Sequence, residues 1–451
     1  MMILEKVITP TGIRHEQLTT KNQYTINMEA TTPKKSFLKK IIAVILGFGP
    51  GIFAIGYTIG TGSVTSMIVA GSKFNMQLLW VLLISCIFSG ILMFAYGNYA
   101  LLTGETALFG FKKHFKLGKV LAIAIIIGIT FGQWNSLMGI LGISSNIIFE
   151  ILAVNFEGLS AYKYETVLIT AIVIIVTFYL LMLVGKYTFF EKILVIFVTL
   201  MGMSFVLSLC FVQPLTIDVV KGLLPTIPDV PGGKMLVAAF VGTTMASATF
   251  LSRPLFVKGK GWTIKNLGQQ KRDSITAAVL IFIISGVIMA VAAGALYYQG
   301  KEVTQVLDMA NTLEPVAGKW AVTIFFFGAL SAGLSSIFPC LLIAPLLIAD
   351  YQSGELDTNS KQFRIITFIA CLVALIGPAF GANPIEIQIL SQVFNVFVLP
   401  IVILGIILML SNKKVMNDYK TSLGVYIGLY AALFFSLVIS YNGVVALLDY
   451  F

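Results

Sequence analysis

The chain has 451 residues, 58% of them hydrophobic and 11% charged, with a mean hydropathy of +0.94. Soluble globular domains are far less apolar, so the composition excludes them and predicts a multi-pass membrane protein. The net charge of +10 gathers in short loops between apolar runs, which makes a nucleic-acid partner unnecessary.

Residues 1–42 are polar and mixed, without the apolar core of a signal peptide, and read as a flexible cytoplasmic tail. Residues 43–451 read as an all-α integral membrane transporter domain. Runs of about 20 apolar residues, each long enough to cross hydrocarbon about 30 Å thick, recur along it. About eleven transmembrane helices are expected, with cores near 43–70, 77–102, 118–152, 164–184, 189–212, 234–256, 274–298, 319–350, 363–382, 386–411 and 422–448. Lys34, Lys35, Lys39 and Lys40 precede the first span, and Lys112, Lys113, Lys116 and Lys119 follow the second. Lys258, Lys260, Lys265, Lys271 and Arg272 follow the sixth, and Lys413, Lys414 and Lys420 the tenth. These loops read as cytoplasmic, which puts the N-terminus inside a plasma or inner membrane and Phe451 outside.

The first span is interrupted by Gly56-Tyr57-Thr58-Ile59-Gly60-Thr61-Gly62-Ser63, a stretch of glycines and hydroxyls without charge. A helix unwound inside a membrane bares backbone groups that survive only where they line a cavity or a binding site. The sixth span carries a second interruption, Val241-Gly242-Thr243-Thr244-Met245-Ala246-Ser247-Ala248-Thr249. Ile59-Gly60-Thr61 and Val241-Gly242-Thr243 echo each other five spans apart, the offset of an inverted repeat. Repeat one then covers about 43–212 and repeat two about 234–411, with 422–448 an added helix. Close packing of small residues is the bland alternative for either cluster alone.

Cys86, Cys210, Cys340 and Cys371 lack metal-type spacing and read as packing residues. The only histidines are His15 in the tail and His114 in a loop, which leaves no intramembrane imidazole to bind metal or relay protons.

The chain resembles the Nramp family of divalent-metal transporters from about Gly47 to Ser422. The resemblance rests on Gly49-Pro50-Gly51, Leu79-Trp80-Val81-Leu82-Leu83, Leu102-Thr103-Gly104-Glu105 and Val241-Gly242-Thr243-Thr244. It continues in Ser331-Ala332-Gly333-Leu334-Ser335-Ser336, Leu390-Ser391-Gln392-Val393 and Leu399-Pro400. It implies the fold of sodium-coupled amino-acid symporters (LeuT/APC type): two inverted five-helix repeats, broken helices 1 and 6, substrate held between the breaks, and alternating access.

Departures fall at the positions that hold substrate in the family. Its Asp-Pro-Gly-Asn in span 1, with Asp and Asn as metal ligands, aligns with Gly60-Thr61-Gly62-Ser63. Its Met-Pro-His in span 6, with a sulfur ligand, aligns with Ala246-Ser247-Ala248, and a second histidine aligns with Arg253. The acidic pair of span 3 aligns with Gln133 and Ser136, neither of which carries a proton. Gln392 alone matches among the polar residues near the family's site.

What remains is a lining of neutral donors. Gly60, Thr61, Gly62, Ser63, Thr243, Ala246, Ser247, Thr249 and Gln392 are the candidate substrate-binding residues, with Thr58, Thr65, Ser66, Thr244, Asn135 and Asn395 nearby. Hard neutral oxygens suit hydrated Mg²⁺, a monovalent cation or a polar solute better than a transition metal. Ile59-Gly60-Thr61-Gly62 also resembles the break of amino-acid permeases, whose backbone N–H groups face a carboxylate at a half-helix N-terminus. By resemblance to sodium-coupled symporters, Gly56, Ile59, Ala332, Ser335 and Ser336 form a candidate Na⁺ site. Gln133, Ser136 and Arg253 are candidates for coupling or the pathway. Arg253 could act as a fixed charge, meet an anionic group, or snorkel to the cytoplasmic end of its span. Glu105 and Asp350 are expected to cap or pair at span ends.

The expected function is a secondary active transporter; the resemblance implies divalent metal-ion transport, and with the family's Asp, Asn and Met ligands replaced, a hard or hydrated cation such as Mg²⁺ is favoured over a transition metal. The alternative is a Na⁺-coupled or facilitative carrier of a small neutral or zwitterionic solute such as an amino acid. A sensor that has lost transport is disfavoured by the short loops. No His, Cys or carboxylate pair converges in the spans, so an enzyme is not expected, nor is a cofactor. The lipid bilayer is the surrounding partner. Oligomeric state is left open, with a monomer as the working expectation.

Overall fold

The computed structural model describes residues 50–450, except 154–155, 184–186, 213, 227–231, 301–302, 304–305, 355–356 and 417–418. The expected cytoplasmic tail lies outside the described residues. Among the described residues, ten helices are long and apolar enough to cross a membrane, and an eleventh span is built by two shorter ones bent 51° against each other. Those two are Gly51–Thr58 and Thr61–Phe74, the halves of span 1. Span 2 is Leu79–Thr103, span 3 Gly118–Ala153, span 4 Lys163–Leu183 and span 5 Tyr187–Phe211. Span 6 divides into Gly233–Thr244 and Ser247–Gly259, and span 7 is Leu267–Leu296. Span 8 is the apolar part, Val322–Gln352, of a helix from Val306 that is kinked at Gly318, where φ is 75°. Spans 9, 10 and 11 are Lys361–Ala379, Pro384–Ser411 and Leu423–Tyr450.

Burial sorts these helices into an inner and an outer set. In span 6, 94% of the most apolar window is buried and in span 8, 83%, against 28% in span 5 and 22% in span 11. The side chains explain the ordering. Span 6 carries Ala238, Ala239, Gly242, Ala246 and Ala248, small enough for neighbouring backbones to approach closely. Span 11 instead turns Ile427, Tyr430, Phe434, Leu437 and Tyr441 outward, as a lipid-facing helix does. Spans 2 and 7 run antiparallel in a register set by small residues. Gly97 lies against Gln270, Gly90 against Ala278, and Gly286 against Leu79 and Leu82.

Span 7 starts at Leu267, about two turns before the position expected from its apolar core. Lys271, Arg272 and Asp273 make that opening look like a loop in the sequence. In the structure Asp273 turns inward and is buried, while Lys271 and Arg272 stay at the surface.

Beyond span 2 a short helix, Ala107–His114, docks on the end of span 8. The Asp350 carboxylate accepts hydrogen bonds from the backbone N–H groups of Leu108 (3.0 Å) and Phe109 (3.2 Å), neutralising unpaired donors of that first turn. Lys112 donates to the carbonyls of Tyr351 and Gln352. Glu105 accepts from Tyr99 at 3.0 Å and lies 2.5 Å from the Lys113 ammonium and 2.8 Å from the His114 ring nitrogen. Partial burial would raise the Glu105 pKa, but the contacts from Lys113, His114 and Tyr99 outweigh it and hold the carboxyl below its ordinary range.

Candidate functional site

Both expected breaks are present, each two residues wide. Span 1 leaves helical geometry at Ile59 and Gly60, the latter extended at φ −81° and ψ −172°, and resumes at Thr61. Span 6 leaves it at Met245 and Ala246 and resumes at Ser247. The half-helices begin without a side-chain cap, at Gly60 and Ala246, leaving backbone N–H groups directed into the gap. The breaks touch: the Thr243 hydroxyl donates to the Thr58 carbonyl at 3.2 Å. Ser89 of span 2 donates to the Thr244 carbonyl at 2.7 Å, taking up a second acceptor freed by the unwinding.

Span 10 fills the space beside the breaks with amides. Gln133 of span 3 donates to Asn395 (3.0 Å), and Asn395 donates to the Gln392 carbonyl oxygen (3.1 Å). The Gln392 amide nitrogen is 3.2 Å from the Ser136 hydroxyl, which donates to the Gln388 oxygen at 3.1 Å. Gln388 closes the chain by donating to the Thr61 hydroxyl at 3.1 Å and the Ser136 carbonyl at 2.9 Å. Spans 3, 10 and 1 are thereby joined by one buried, uncharged network. It can orient, accept and donate, but no member of it ionises near neutral pH.

Gly62 and Gly242 make this arrangement fit. A Cβ at Gly62 would come 2.5 Å from the Gln392 amide nitrogen, and one at Gly242 would overlap the Gln392 backbone carbonyl oxygen. Gln392 therefore sits between the second half of span 1 and the first half of span 6.

The other expected residues separate into groups. Gly60, Thr61 and Ala246 are buried at the breaks, while Ser63 turns toward span 7, its hydroxyl 3.2 Å from that of Ser285. The hydroxyls of Thr244, Ser247 and Thr249 are buried without a hydrogen-bond partner among the described residues. Of the candidate Na⁺ ligands, Ser336 Oγ lies 3.2 Å from the Gly56 carbonyl and 2.9 Å from the Ala332 carbonyl, and Ser335 donates to Ala332 at 2.9 Å. Ile59 is buried beside them. Asn135 does not join: its amide donates to the Phe131 carbonyl of its own helix.

Arg253 does not snorkel. Its side chain is 1% exposed and forms an ion pair with Asp273 at 2.5 Å, with Gln270 at 2.8 Å and Ser274 at 3.2 Å. The same Asp273 oxygen accepts the backbone N–H of Gly51 at 2.9 Å, which ties the start of span 1 to spans 6 and 7. At its other end span 1 is held by Asn75, whose amide donates to Asp218 at 2.8 Å, and Tyr298 donates to the same carboxylate at 2.5 Å.

The sequence reading missed Gln388 and Asp273. Gln388 was detectable, since Gln388, Gln392 and Asn395 share one helical face at spacings of four and three. Asp273 gave no such signal, because its partner lies on a different span. Among the described residues, no group of three His, Cys, Asp or Glu side chains comes together to hold a metal ion.

Residues 51–446 match the natural resistance-associated macrophage protein-like (Nramp) family. A divalent metal cation transporter MntH from Klebsiella pneumoniae subsp. pneumoniae is 26% identical over 386 residues, covering 82% of this chain and 86% of its own. One of the same description from Vibrio campbellii is 25% identical over 431 residues, covering 93% and 96%. A manganese transporter from Eremococcus coleocola superposes with a TM-score of 0.68 at 15% identity, over 92% of this chain and 87% of that one. A nucleobase-cation-symport-1 family transporter in a closed conformation superposes with a TM-score of 0.55 at 14% identity, over 89% and 90%. Both solved structures share the overall fold of this chain, and the chain belongs to the Nramp family.

Proposed function

We propose that this protein is a secondary carrier that takes a hard or partly hydrated cation such as Mg²⁺ between the breaks of spans 1 and 6. The observation that carries the reading is the uncharged network of Gln133, Asn395, Gln392, Ser136, Gln388 and Thr61 beside those breaks. Named relatives transport divalent cations or manganese, and this chain offers amide and hydroxyl oxygens where a soft ion would want sulfur. An ion that keeps part of its hydration shell needs oriented hydrogen-bond acceptors more than direct anionic ligands. Thr61, Gln392 and the unpartnered hydroxyls of Thr244, Ser247 and Thr249 supply them. Passage requires the Thr243–Thr58 contact to open, together with one of the two carboxylate ties at the ends of span 1.

A second reading, a Na⁺-coupled or facilitative carrier of a zwitterionic solute, is favoured by the cluster of Ser336 Oγ with the Gly56 and Ala332 carbonyls. The uncapped half-helix at Gly60 would then face the carboxylate.

Flux into liposomes containing the full chain separates the two. The cation reading expects Mg²⁺ uptake that needs no Na⁺ and falls roughly tenfold in Gln392→Leu, the effect of losing one hydrogen bond to a charged species. Na⁺-dependent amino-acid uptake abolished by Ser336→Ala would install the second reading. Micromolar Mn²⁺ binding by calorimetry, lost in Gln392→Ala, would overturn the preference for a hard ion.

A further inference from the structure

A cavity of about 500 Å³ opens between spans 2, 7 and 11, lined by none of the break residues. Leu83, Ile87, Ile91 and Phe94 of span 2 and Ile275, Val279 and Phe282 of span 7 form its walls, and Ser422, Gly424 and Val425 at the start of span 11 close one side. The floor is Gly90 against Ala278, the small pair that sets the antiparallel register. From Phe94 to Leu83 the groove follows eleven residues of helix, about 16 Å, close to half of a hydrocarbon layer about 30 Å thick.

One end differs from the rest. Lys271 is the single charged residue of the lining among the described residues, exposed on the first turns of span 7 beside the Ser422 end of span 11. Lys420 lies two residues before Ser422 in the chain, and among the described residues no carboxylate lines the groove. The ion pairs of the described residues leave Lys271 out, while the nearby Asp273 is buried on Arg253. The result is a slot one leaflet deep, apolar along its length and cationic at its mouth.

We infer that this groove binds an anionic phospholipid, with an acyl chain along Gly90 and Ala278 and the phosphate at Lys271. Basic pockets between membrane helices select anionic headgroups, and each lysine near the surface contributes roughly a fivefold preference. A zwitterionic lipid presents a phosphate too, but brings its own ammonium to the same lysine and loses most of that gain. Spans 2 and 7 both contact the halves of the broken helices, so the bound lipid borders the moving part of the carrier.

Native mass spectrometry of the full chain with equimolar phosphatidylglycerol and phosphatidylcholine of identical acyl chains tests the site. The wild type should retain phosphatidylglycerol about fivefold over phosphatidylcholine. Lys271→Gln should bring the ratio close to one while phosphatidylcholine retention is unchanged. Val279→Trp, which fills the groove from its exposed side, should lower retention of both lipids, and Lys361→Gln at another surface site should alter neither. Equal retention by the wild type, an undiminished preference in Lys271→Gln, or displacement of both lipids by free fatty acid would overturn the assignment.

Discussion

Gln392 owes its place between the broken spans to two glycines that meet different parts of it. At Gly242 an added methyl would strike the Gln392 backbone, which span 10 holds rigid, whereas at Gly62 it would strike the end of a side chain that can turn. Gly242→Ala is expected to destabilise the protein by about 1–3 kcal/mol and to abolish transport, as overpacking does. Gly62→Ala displaces only the amide end, at a cost of about 1 kcal/mol for one hydrogen bond of the network, and should shift substrate affinity instead. Thermal unfolding and flux measured on both variants would check the order, and equal losses would refute it. The glycines were legible as breaks in an apolar run, and Gln392 through its family pattern. The reach of Gln388 to Thr61 was not legible, since it depends on how deeply span 10 packs beside span 1.

Span 1 is pinned at both ends by carboxylates that belong to other segments, Asp273 at Gly51 and Asp218 at Asn75. The inner tie is buried and its charges compensate each other, so removing one alone should be severe. Asp273→Asn is expected to cost about 3–5 kcal/mol in thermal unfolding, because the Arg253 charge is left in an apolar setting. Pairing Arg253→Met with Asp273→Leu should recover most of that loss but not the part owed to the Gly51 N–H. The outer tie lies near solvent and should respond to pH. Hydrogen bonds from Tyr298 and then Asn75 hold the Asp218 carboxyl below its usual range. A depressed folded-state pKa means the stabilisation is present above the unfolded carboxylate value, about 3.9, and fades as pH falls through the folded one. The melting-temperature difference between wild type and Asp218→Asn should hold steady from about pH 5 to 8 and disappear at more acid pH. Composition announced both half-helix pairs because hydrocarbon punishes unwound backbone. It hid the start of span 7, because a run of Lys271, Arg272 and Asp273 looks like a loop until the partner of Asp273 is known.

Among the described residues, the inner helices expose no net charge to the gap: Arg253 and Asp273 pair, and the polar groups lining it between spans 1, 6 and 10 are amides, hydroxyls and backbone. If the proposed dication is the cargo, the empty carrier returns without moving charge, whereas the loaded one crosses with both charges uncancelled. A membrane potential of 100 mV then acts on the loaded step with about 4.6 kcal/mol, at about 2.3 kcal/mol per elementary charge. Inward flux in valinomycin-polarised vesicles should therefore climb steeply with interior-negative voltage. The lumen should not acidify, because Gln133 and Ser136 cannot hold a travelling proton. The electric field alone would thus suffice as the battery for accumulation, and a cell that depolarised would lose its grip on the cargo without any change in pH.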